Sequence, residues 1–174
     1  MPATCRPFIA LIALCTGLLT AAWTNAAEEP FGDPHLWIGD NLVIAGPPDL
    51  PALKAGFPGA VVIIDLRTAE EGTATEQAQA QDLGLTYHNL PVDGANIRDE
   101  QVLALDALLN SAPQEALVVL HCASGNRAGM LWAAGEMRRG REVEDVLEQV
   151  APVVTKAPVA AAVRAYADTL NTAH

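Results

Sequence analysis

Two continuous apolar segments constrain the fold more than any other feature of this sequence. Residues 61–66 read VVIIDL and residues 116–120 read ALVVL. Neither segment alternates between apolar and polar residues, as a strand with one solvent-exposed face would. Strands of this kind are buried on both faces, so helices must cover the sheet from above and from below.

Helical patterns alternate with strand patterns along the chain. A hairpin of residues 36–38 and 42–44 is predicted around Gly39-Asp40-Asn41, and a further strand over residues 85–92. Helices are predicted over residues 49–56, 75–83, 99–110, 127–139, 143–150 and 158–170, with Asp49 and Asp99 as caps of the first and third. The predicted fold class is therefore α/β, with a mostly parallel sheet flanked by helices on both faces. Ligands of such folds bind at the carboxyl ends of the strands.

The segment 1–27 has the layout of a secretory signal peptide. Arg6 is the only charged residue before the apolar run 8–23, and small residues precede Glu28. We expect cleavage after Ala26 or Ala27, which leaves residues 28–174 as a single exported domain, either periplasmic or secreted. Because the apolar run is short for a retained anchor, no membrane association is expected after cleavage.

Removal of the signal peptide changes both the cysteine count and the charge. Cys5 and Cys15 leave with it, so Cys122 remains as the only thiol and no internal disulfide is possible. A lone thiol in an oxidising compartment is a liability unless it is buried or used. Lys plus Arg falls from 10 to 9 while all 21 acidic residues stay, which gives a net charge of −12. Such a surface repels nucleic acid and anionic lipid, so a local positive site must hold any anionic ligand.

Residues 121–129, HCASGNRAG, connect the end of a predicted strand to the start of a helix. Free N–H groups and the positive end of the helix dipole point back into this loop, and Arg127 adds a guanidinium that can bind two oxygens at once. The same field stabilises a thiolate, so the sequence predicts that Cys122 is a nucleophile beside an anion-binding loop. The residues between them are small or compact and let the backbone surround an anion: Ala123, Ser124, Gly125 and Asn126.

His121 precedes the cysteine on a strand, so its side chain points to the opposite face of the sheet. We expect it to orient the loop and tune the thiol through hydrogen bonds. No metal site is predicted, because the four histidines are scattered and neither HExxH nor CxxC occurs. No cofactor is predicted either.

His121-Cys122, Gly125, Arg127 and Gly129 resemble the signature loop of the protein tyrosine and dual-specificity phosphatase superfamily. From about residue 36 to residue 166 the chain more closely resembles its bacterial branch, the phosphatase-like domains of beta-lactamase hydrolase-like proteins. Further marks of the resemblance are Asp65-Leu66-Arg67, Leu90-Pro91-Val92 and the run VVLHCASGNR at residues 118–127. The resemblance implies a phosphatase-type α/β fold and catalysis through a covalent cysteine intermediate.

Asp93 gains significance from this resemblance. It lies upstream of Cys122 in the chain, directly after a predicted strand. In the dual-specificity phosphatases an aspartate at about this separation from the cysteine, on a mobile loop, protonates the leaving oxygen. The resemblance therefore implies that Asp93 is the general acid. Asp93-Gly94 is also a common turn dipeptide, which leaves a purely structural role open.

Two features of the loop depart from the phosphatase pattern. Four residues separate Cys122 from Arg127, where the phosphatases have five, and this spacing matches the C-x-x-G-x-R pattern of rhodanese sulfurtransferases. Ala128 replaces the hydroxyl residue that assists hydrolysis of the phosphocysteine. The sequence therefore predicts a cysteine-dependent, phosphatase-like hydrolase that acts on a small anionic phosphate ester. Two alternatives stay open: a sulfurtransferase that carries a persulfide on Cys122, with thiosulfate or a persulfide as substrate, and a non-catalytic module that binds an anion or a partner.

Overall fold

The computed structural model describes residues 30–172. The predicted signal peptide, residues 1–27, lies outside this range. Within residues 30–172, no helix combines the length and the apolar character needed to cross a lipid bilayer.

A five-stranded sheet forms the centre of the described part of the chain. Its strands are β1 (Leu36–Ile38), β2 (Leu42–Ala45), β3 (Val61–Asp65), β4 (Thr86–Asn89) and β5 (Leu117–His121). Their order across the sheet is β1-β2-β5-β3-β4. β1 runs antiparallel to β2, with Leu36 opposite Ile44, and the other neighbouring pairs are parallel. The predicted hairpin and the mostly parallel sheet are both confirmed.

Six α-helices and one 3₁₀ helix accompany the sheet within residues 30–172. They are α1 (Leu50–Gly56), the 3₁₀ helix Ala69–Glu71, α2 (Thr73–Asp82), α3 (Asp99–Ser111), α4 (Asn126–Arg138), α5 (Val143–Val150) and α6 (Ala157–Thr172). The ends of all six α-helices lie within two residues of the predicted ends. The strand predicted over residues 85–92 is shorter, because Pro91 has no N–H to continue the ladder.

The two predicted helix caps have different outcomes. The Asp49 carboxylate accepts a hydrogen bond from the N–H of Ala52 (2.9 Å), which confirms the first cap. The cap predicted at Asp99 is wrong, because the preceding residue occupies the N-cap position and Asp99 is already helical. Its carboxylate instead accepts a hydrogen bond from the Tyr166 hydroxyl (2.5 Å) and pairs with Arg138 (3.2 Å), which ties α3 to α6 and α4.

Apolar side chains cover both faces of the sheet. α1 and α2 pack on the face that carries Ile63 and Val119, whereas α3, α4, α5 and α6 pack on the face that carries Ile64 and Leu120. Neighbouring residues of one strand therefore face different helical layers. This arrangement explains why the strand segments are apolar without alternation.

α4 packs closely against the turn between α5 and α6. A Cβ atom on Gly129 would lie 2.7 Å from Cγ2 of Val154 and 3.0 Å from Cγ2 of Val153. Both valines are buried, and their branched side chains have little rotational freedom. Glycine at position 129 therefore lets this turn approach the first residues of α4.

We predict that Gly129→Ala lowers the free energy of unfolding by about 1–3 kcal/mol, because the added methyl group overpacks this contact. Gly56→Ala is the matched control, since Gly56 is also helical and a Cβ there would meet no atom within 4 Å. The control should be neutral or stabilising by up to about 1 kcal/mol. Urea denaturation measures both changes, and equal stabilities of the two variants would contradict the close contact.

Candidate active site

The candidate nucleophile lies at the carboxyl end of the central strand. Cys122 directly follows β5, is 1% exposed, and belongs to the apolar core on the α3–α6 face of the sheet. His121 points to the other face, where its Nε2 lies 2.8 Å from Oε1 of Glu76 in α2. The two adjacent residues therefore contribute to different layers of the molecule.

Gly125 shapes the loop that follows the cysteine. Its φ of +77° lies in the left-handed region, which other residues rarely adopt, and it forms the N-cap of α4. The N–H of Gly129 donates to the carbonyl of Gly125 (2.8 Å). The N–H groups of residues 126–128 precede this bond and have no acceptor one helical turn earlier. They provide the partial positive charge of a helix N-terminus next to Cys122.

Asn126 fastens the loop to the α5–α6 turn. Its side chain is buried, and Oδ1 accepts hydrogen bonds from the N–H groups of Thr155 (3.0 Å) and Lys156 (2.9 Å). Nδ2 donates to the carbonyl of Ser124 (3.3 Å). The side chain of Asn126 therefore stabilises the loop. Asn126 can contact an anion through its backbone N–H.

The guanidinium of Arg127 is turned inward and held by two groups from other segments. Nη1 and Nη2 donate to the two carboxylate oxygens of Glu71 (2.8 and 2.6 Å), and Nη1 also donates to the carbonyl of Val92 (2.8 Å). The Arg127 side chain is 15% exposed. The hydrogen bond with Glu71 is the main cause that raises the pKa of Arg127, and the charge of the nearby Cys122 sulfur adds to it.

These contacts leave one edge of the guanidinium available. Three of its five N–H groups are occupied by Glu71 and Val92. The remaining two, on Nε and Nη2, form the side-on edge, which binds two oxygens in parallel. Arg127 lies close enough to Cys122 for the two groups to interact electrostatically, so the guanidinium and the sulfur belong to one site.

Glu71 is the site residue that the sequence did not reveal. It ends the 3₁₀ helix after β3, 56 residues before Arg127 in the chain. Hydrogen bonding to Arg127 lowers the pKa of Glu71 to about 2. The pair is therefore charged throughout the physiological pH range, and its contribution is lost only as the pH falls below about 4.5 toward 2.

Asp93 lies in the loop between β4 and α3, with an exposed side chain. The preceding residue, Val92, is buried, and its N–H donates to the carbonyl of Leu66 (3.0 Å) while its carbonyl accepts from Arg127. Gly94 follows with a φ of +61°. The backbone before Asp93 is thus anchored beside Arg127, and the carboxylate itself faces solvent.

A buried ionic network lies beneath the site, on the α2 face of the sheet. Arg67 donates to both oxygens of Asp65 (3.0 Å from Nε to Oδ1, 2.8 Å from Nη2 to Oδ2) and to Glu76, and the Tyr87 hydroxyl donates to Asp65 (2.7 Å). Burial by itself would raise the pKa of Asp65, but the hydrogen bonds from Arg67 and the charge of His121 lower it below 3.8. The network joins the ends of β3 and β5 to α2.

Three members of this network have the residue types of a metal site. Ligand atoms of Asp65, Glu76 and His121 lie within 4.8 Å of one another. Arg67 donates to both carboxylates, so a guanidinium already supplies the positive charge that these acids require. The donor set therefore fits an ion-pair network within the protein.

Comparisons with known proteins place this chain in a family. The model of the phosphatase-like domain of beta-lactamase hydrolase-like proteins matches residues 46–138, so the chain belongs to that family. A beta-lactamase hydrolase-like protein of Xylella fastidiosa is 35% identical over 117 residues, which are 64% of this chain and 27% of that protein. The chain thus corresponds to about a quarter of its relative's length.

Solved structures of phosphatases share the fold. The core catalytic domain of the PP-IP phosphatase SIW14 from S. cerevisiae, in complex with citrate, has a TM-score of 0.61 at 14% identity, over 83% of this chain and 91% of that one. P. aeruginosa TpbA in complex with phosphotyrosine has a TM-score of 0.55 at 19% identity, over 76% and 85%. The fold is therefore phosphatase-like, as predicted. Family and fold support a phosphatase-type function and give the sulfurtransferase alternative no support.

We predict that Arg67→Met lowers the free energy of unfolding by about 3–5 kcal/mol at neutral pH, because two buried carboxylates lose their cation. Without Arg67, burial would raise the pKa of Asp65, so the penalty should shrink as the pH falls and the acid takes up a proton. Arg164→Met is the matched control, since it removes only the exposed pair with Glu144 and should cost less than about 1 kcal/mol. Denaturation at several pH values measures both, and a penalty that does not depend on pH would contradict the network.

Proposed function

We propose that this protein is a cysteine-dependent phosphatase that hydrolyses small phosphate esters through a phosphocysteine on Cys122. The side-on edge of Arg127 and the N–H groups of the loop bind the phosphoryl oxygens. Asp93 donates a proton to the leaving oxygen. The observation that carries the proposal is that one short loop brings together Cys122, the N-terminus of α4 and Arg127, whose guanidinium is held by Glu71 and Val92 and interacts electrostatically with Cys122.

The first step transfers the phosphoryl group to sulfur. The Cys122 thiolate attacks phosphorus while the bond between phosphorus and the ester oxygen breaks, and Asp93 donates its proton to that oxygen as the alcohol departs. Negative charge on the phosphoryl oxygens is stabilised by the guanidinium and the helix N–H groups, which are oriented before the reaction. Burial of Cys122 keeps bulk water from the sulfur.

The second step returns the enzyme to its starting state. Water attacks phosphorus, the Asp93 carboxylate takes a proton from that water, and the sulfur leaves as a thiolate together with inorganic phosphate. Ala128 offers no hydroxyl to assist the departing thiolate. We therefore expect this step to be slow relative to the first.

The proposed substrate is a small anion that the enzyme meets as an exported protein. SIW14 and TpbA have structures with citrate and phosphotyrosine, both small anionic molecules. The net charge of −11 of the full sequence disfavours nucleic acid as a partner. A thiol that is 1% exposed also suits a chain that we propose functions outside the cytoplasm.

We predict that Cys122→Ser reduces hydrolysis of p-nitrophenyl phosphate to background, because the hydroxyl is a far weaker nucleophile. Asp93→Asn should lower kcat by about 10²–10⁴-fold with phenyl phosphate, whose leaving oxygen needs a proton, and by less with p-nitrophenyl phosphate. Steady-state kinetics with the two esters measure this difference. Asp82→Asn, an exposed acid at the end of α2, is the matched control.

The outcomes separate the three functional hypotheses. Equal losses with both esters would mean that Asp93 has only a structural role in its turn. A wild-type protein that is inactive on both esters but transfers sulfur from thiosulfate or glutathione persulfide to sulfite would be a sulfurtransferase. Inactivity in both assays, with phosphate binding retained, would leave the binding module.

Glu71→Gln should lower kcat for p-nitrophenyl phosphate by about tenfold without raising KM. The reason is that Arg127 loses the partner that orients its side-on edge, whereas loss of a negative charge beside the site does not weaken anion binding. Glu70→Gln, one residue earlier in the same exposed turn, is the control and should leave both constants unchanged. A higher KM with unchanged kcat would show that Glu71 does not position Arg127.

A further inference from the structure

The turn between α5 and α6, residues 151–156, forms a fixed surface against the candidate active-site loop. The N–H groups of Val153 and Val154 donate to the carbonyl of Val150 (3.0 and 2.8 Å), and the side chains of both valines are buried. A Cβ atom on Gly125 would lie 3.3 Å from Cβ of Val153. The loop therefore packs directly on a turn that is itself hydrogen bonded to the end of α5.

Asn126 adds polar contacts to this packing. It is the first residue of α4 and is 4% exposed. Its Oδ1 accepts from the N–H groups of Thr155 (3.0 Å) and Lys156 (2.9 Å), and its Nδ2 donates to Oγ1 of Thr155 (3.3 Å). Because the two N–H groups can only donate, the orientation of the amide is defined. Three hydrogen bonds thus hold this side chain on the turn.

Arg127 follows Asn126 and is held from a different direction. Successive side chains of an α-helix point about 100° apart around its axis. With Asn126 held on the α5–α6 turn, the direction in which Arg127 leaves the helix is fixed as well. Its guanidinium binds Glu71 and the carbonyl of Val92, which belong to the segments after β3 and β4. The first turn of α4 therefore cannot rotate about its axis without breaking one of these two sets of contacts.

The loop needs such contacts because its own backbone does not fix its shape. Within the described residues, the N–H groups of residues 123–125 donate no hydrogen bond to the backbone. These groups remain available to an anion, so they cannot also hold the loop together. Donors that are oriented before an anion arrives lower the reorganisation that the reaction requires. Side-chain contacts of neighbouring residues must supply this orientation, and the amide of Asn126 is well placed to do so.

We infer that Asn126 is a positioning residue for the reaction. Its amide fixes the start of α4 on the α5–α6 turn and thereby sets the direction of the Arg127 guanidinium. Asn126 and Glu71 then act on the same guanidinium, one through the helix and the other by direct hydrogen bonds. The inference rests on the proposed phosphatase function, and it makes the α5–α6 turn part of the framework of the site.

Steady-state kinetics of Asn126→Leu, Glu71→Gln and the double variant test the inference with p-nitrophenyl phosphate. Asn126→Leu keeps the approximate size of the side chain and should lower kcat by about 10²-fold, the loss expected when a catalytic group is misplaced by about 1 Å. Because both residues act through Arg127, the double variant should lose less than the product of the two single losses. An unchanged kcat of Asn126→Leu, or losses that multiply in the double variant, would overturn the inference.

Two further variants separate positioning from stability. Thr155 and Lys156 are exposed, so water can replace the lost amide and Asn126→Leu should fold. Asn126→Asp keeps an oxygen that accepts from the same two N–H groups and should retain most of the kcat that Asn126→Leu loses. Leu53→Ala creates a cavity on the other face of the sheet and should destabilise the protein while leaving kcat unchanged. A loss of kcat in Leu53→Ala as large as that in Asn126→Leu would overturn the positioning role.

A binding measurement separates failure of the inference from failure of the proposed function. In isothermal titration, Asn126→Leu should bind inorganic phosphate about tenfold more weakly than the wild type, as expected for one lost hydrogen bond to the anion. Leu53→Ala should bind it as the wild type does. Equal affinities of Asn126→Leu and the wild type would overturn the inference even if the enzyme hydrolyses p-nitrophenyl phosphate. A wild type that is inactive on every ester but shows the expected difference in affinity would overturn only the phosphatase proposal.

Discussion

The contact of Arg127 with Glu71 and the Val92 carbonyl holds the site together. Arg127 follows β5, Glu71 follows β3 and Val92 follows β4, and these three strands are neighbours in the order β5-β3-β4. One guanidinium thus joins the segments that leave three adjacent strands at the carboxyl edge of the sheet, where α/β folds bind ligands. Because the partners occupy the end-on edge and one further N–H, the side-on edge remains available to an anion. Arg127 therefore contributes both positive charge and a fixed geometry to the site, beside the N–H groups at the start of α4.

The segment after β3 supports the site from both faces of the sheet. Glu71 meets Arg127 beside the loop, and Glu76, five residues later, meets Arg67 and His121 beneath it. Burying these charges costs desolvation energy that a purely apolar layer would avoid. In return, the carboxylates fix the position of α2 and its preceding turn relative to β5, which ends just before Cys122. His121 and Cys122 are neighbours in the backbone, but their side chains lie on opposite faces of the sheet.

Most of the fold was predictable because it follows from local patterns. Continuous apolar segments identified the buried strands, and helical periodicity located every α-helix in residues 30–172 to within two residues. Cys122 and Arg127 were predicted as site residues because both lie in one short loop. Glu71 was not predicted as a site residue, because the sequence contains 21 acidic residues and this one lies in an exposed turn. It contacts Arg127 only because β3 and β5 are neighbours in the sheet, which the sequence does not show. The cap prediction for Asp99 is wrong for a related reason: its carboxylate binds Tyr166 and Arg138, residues that only the packing of three helices brings near.

The proposed phosphatase has only four residues between Cys122 and Arg127. A shorter loop presents fewer N–H groups to an anion, so more of the phosphoryl charge must be carried by the guanidinium. A guanidinium is useful in this way only if its orientation is fixed, and Glu71 and Val92 provide that constraint. Val92 is also the residue between the carbonyl bound by Gln101 and the Asp93 carboxylate. Arg127 therefore also anchors the backbone directly before Asp93.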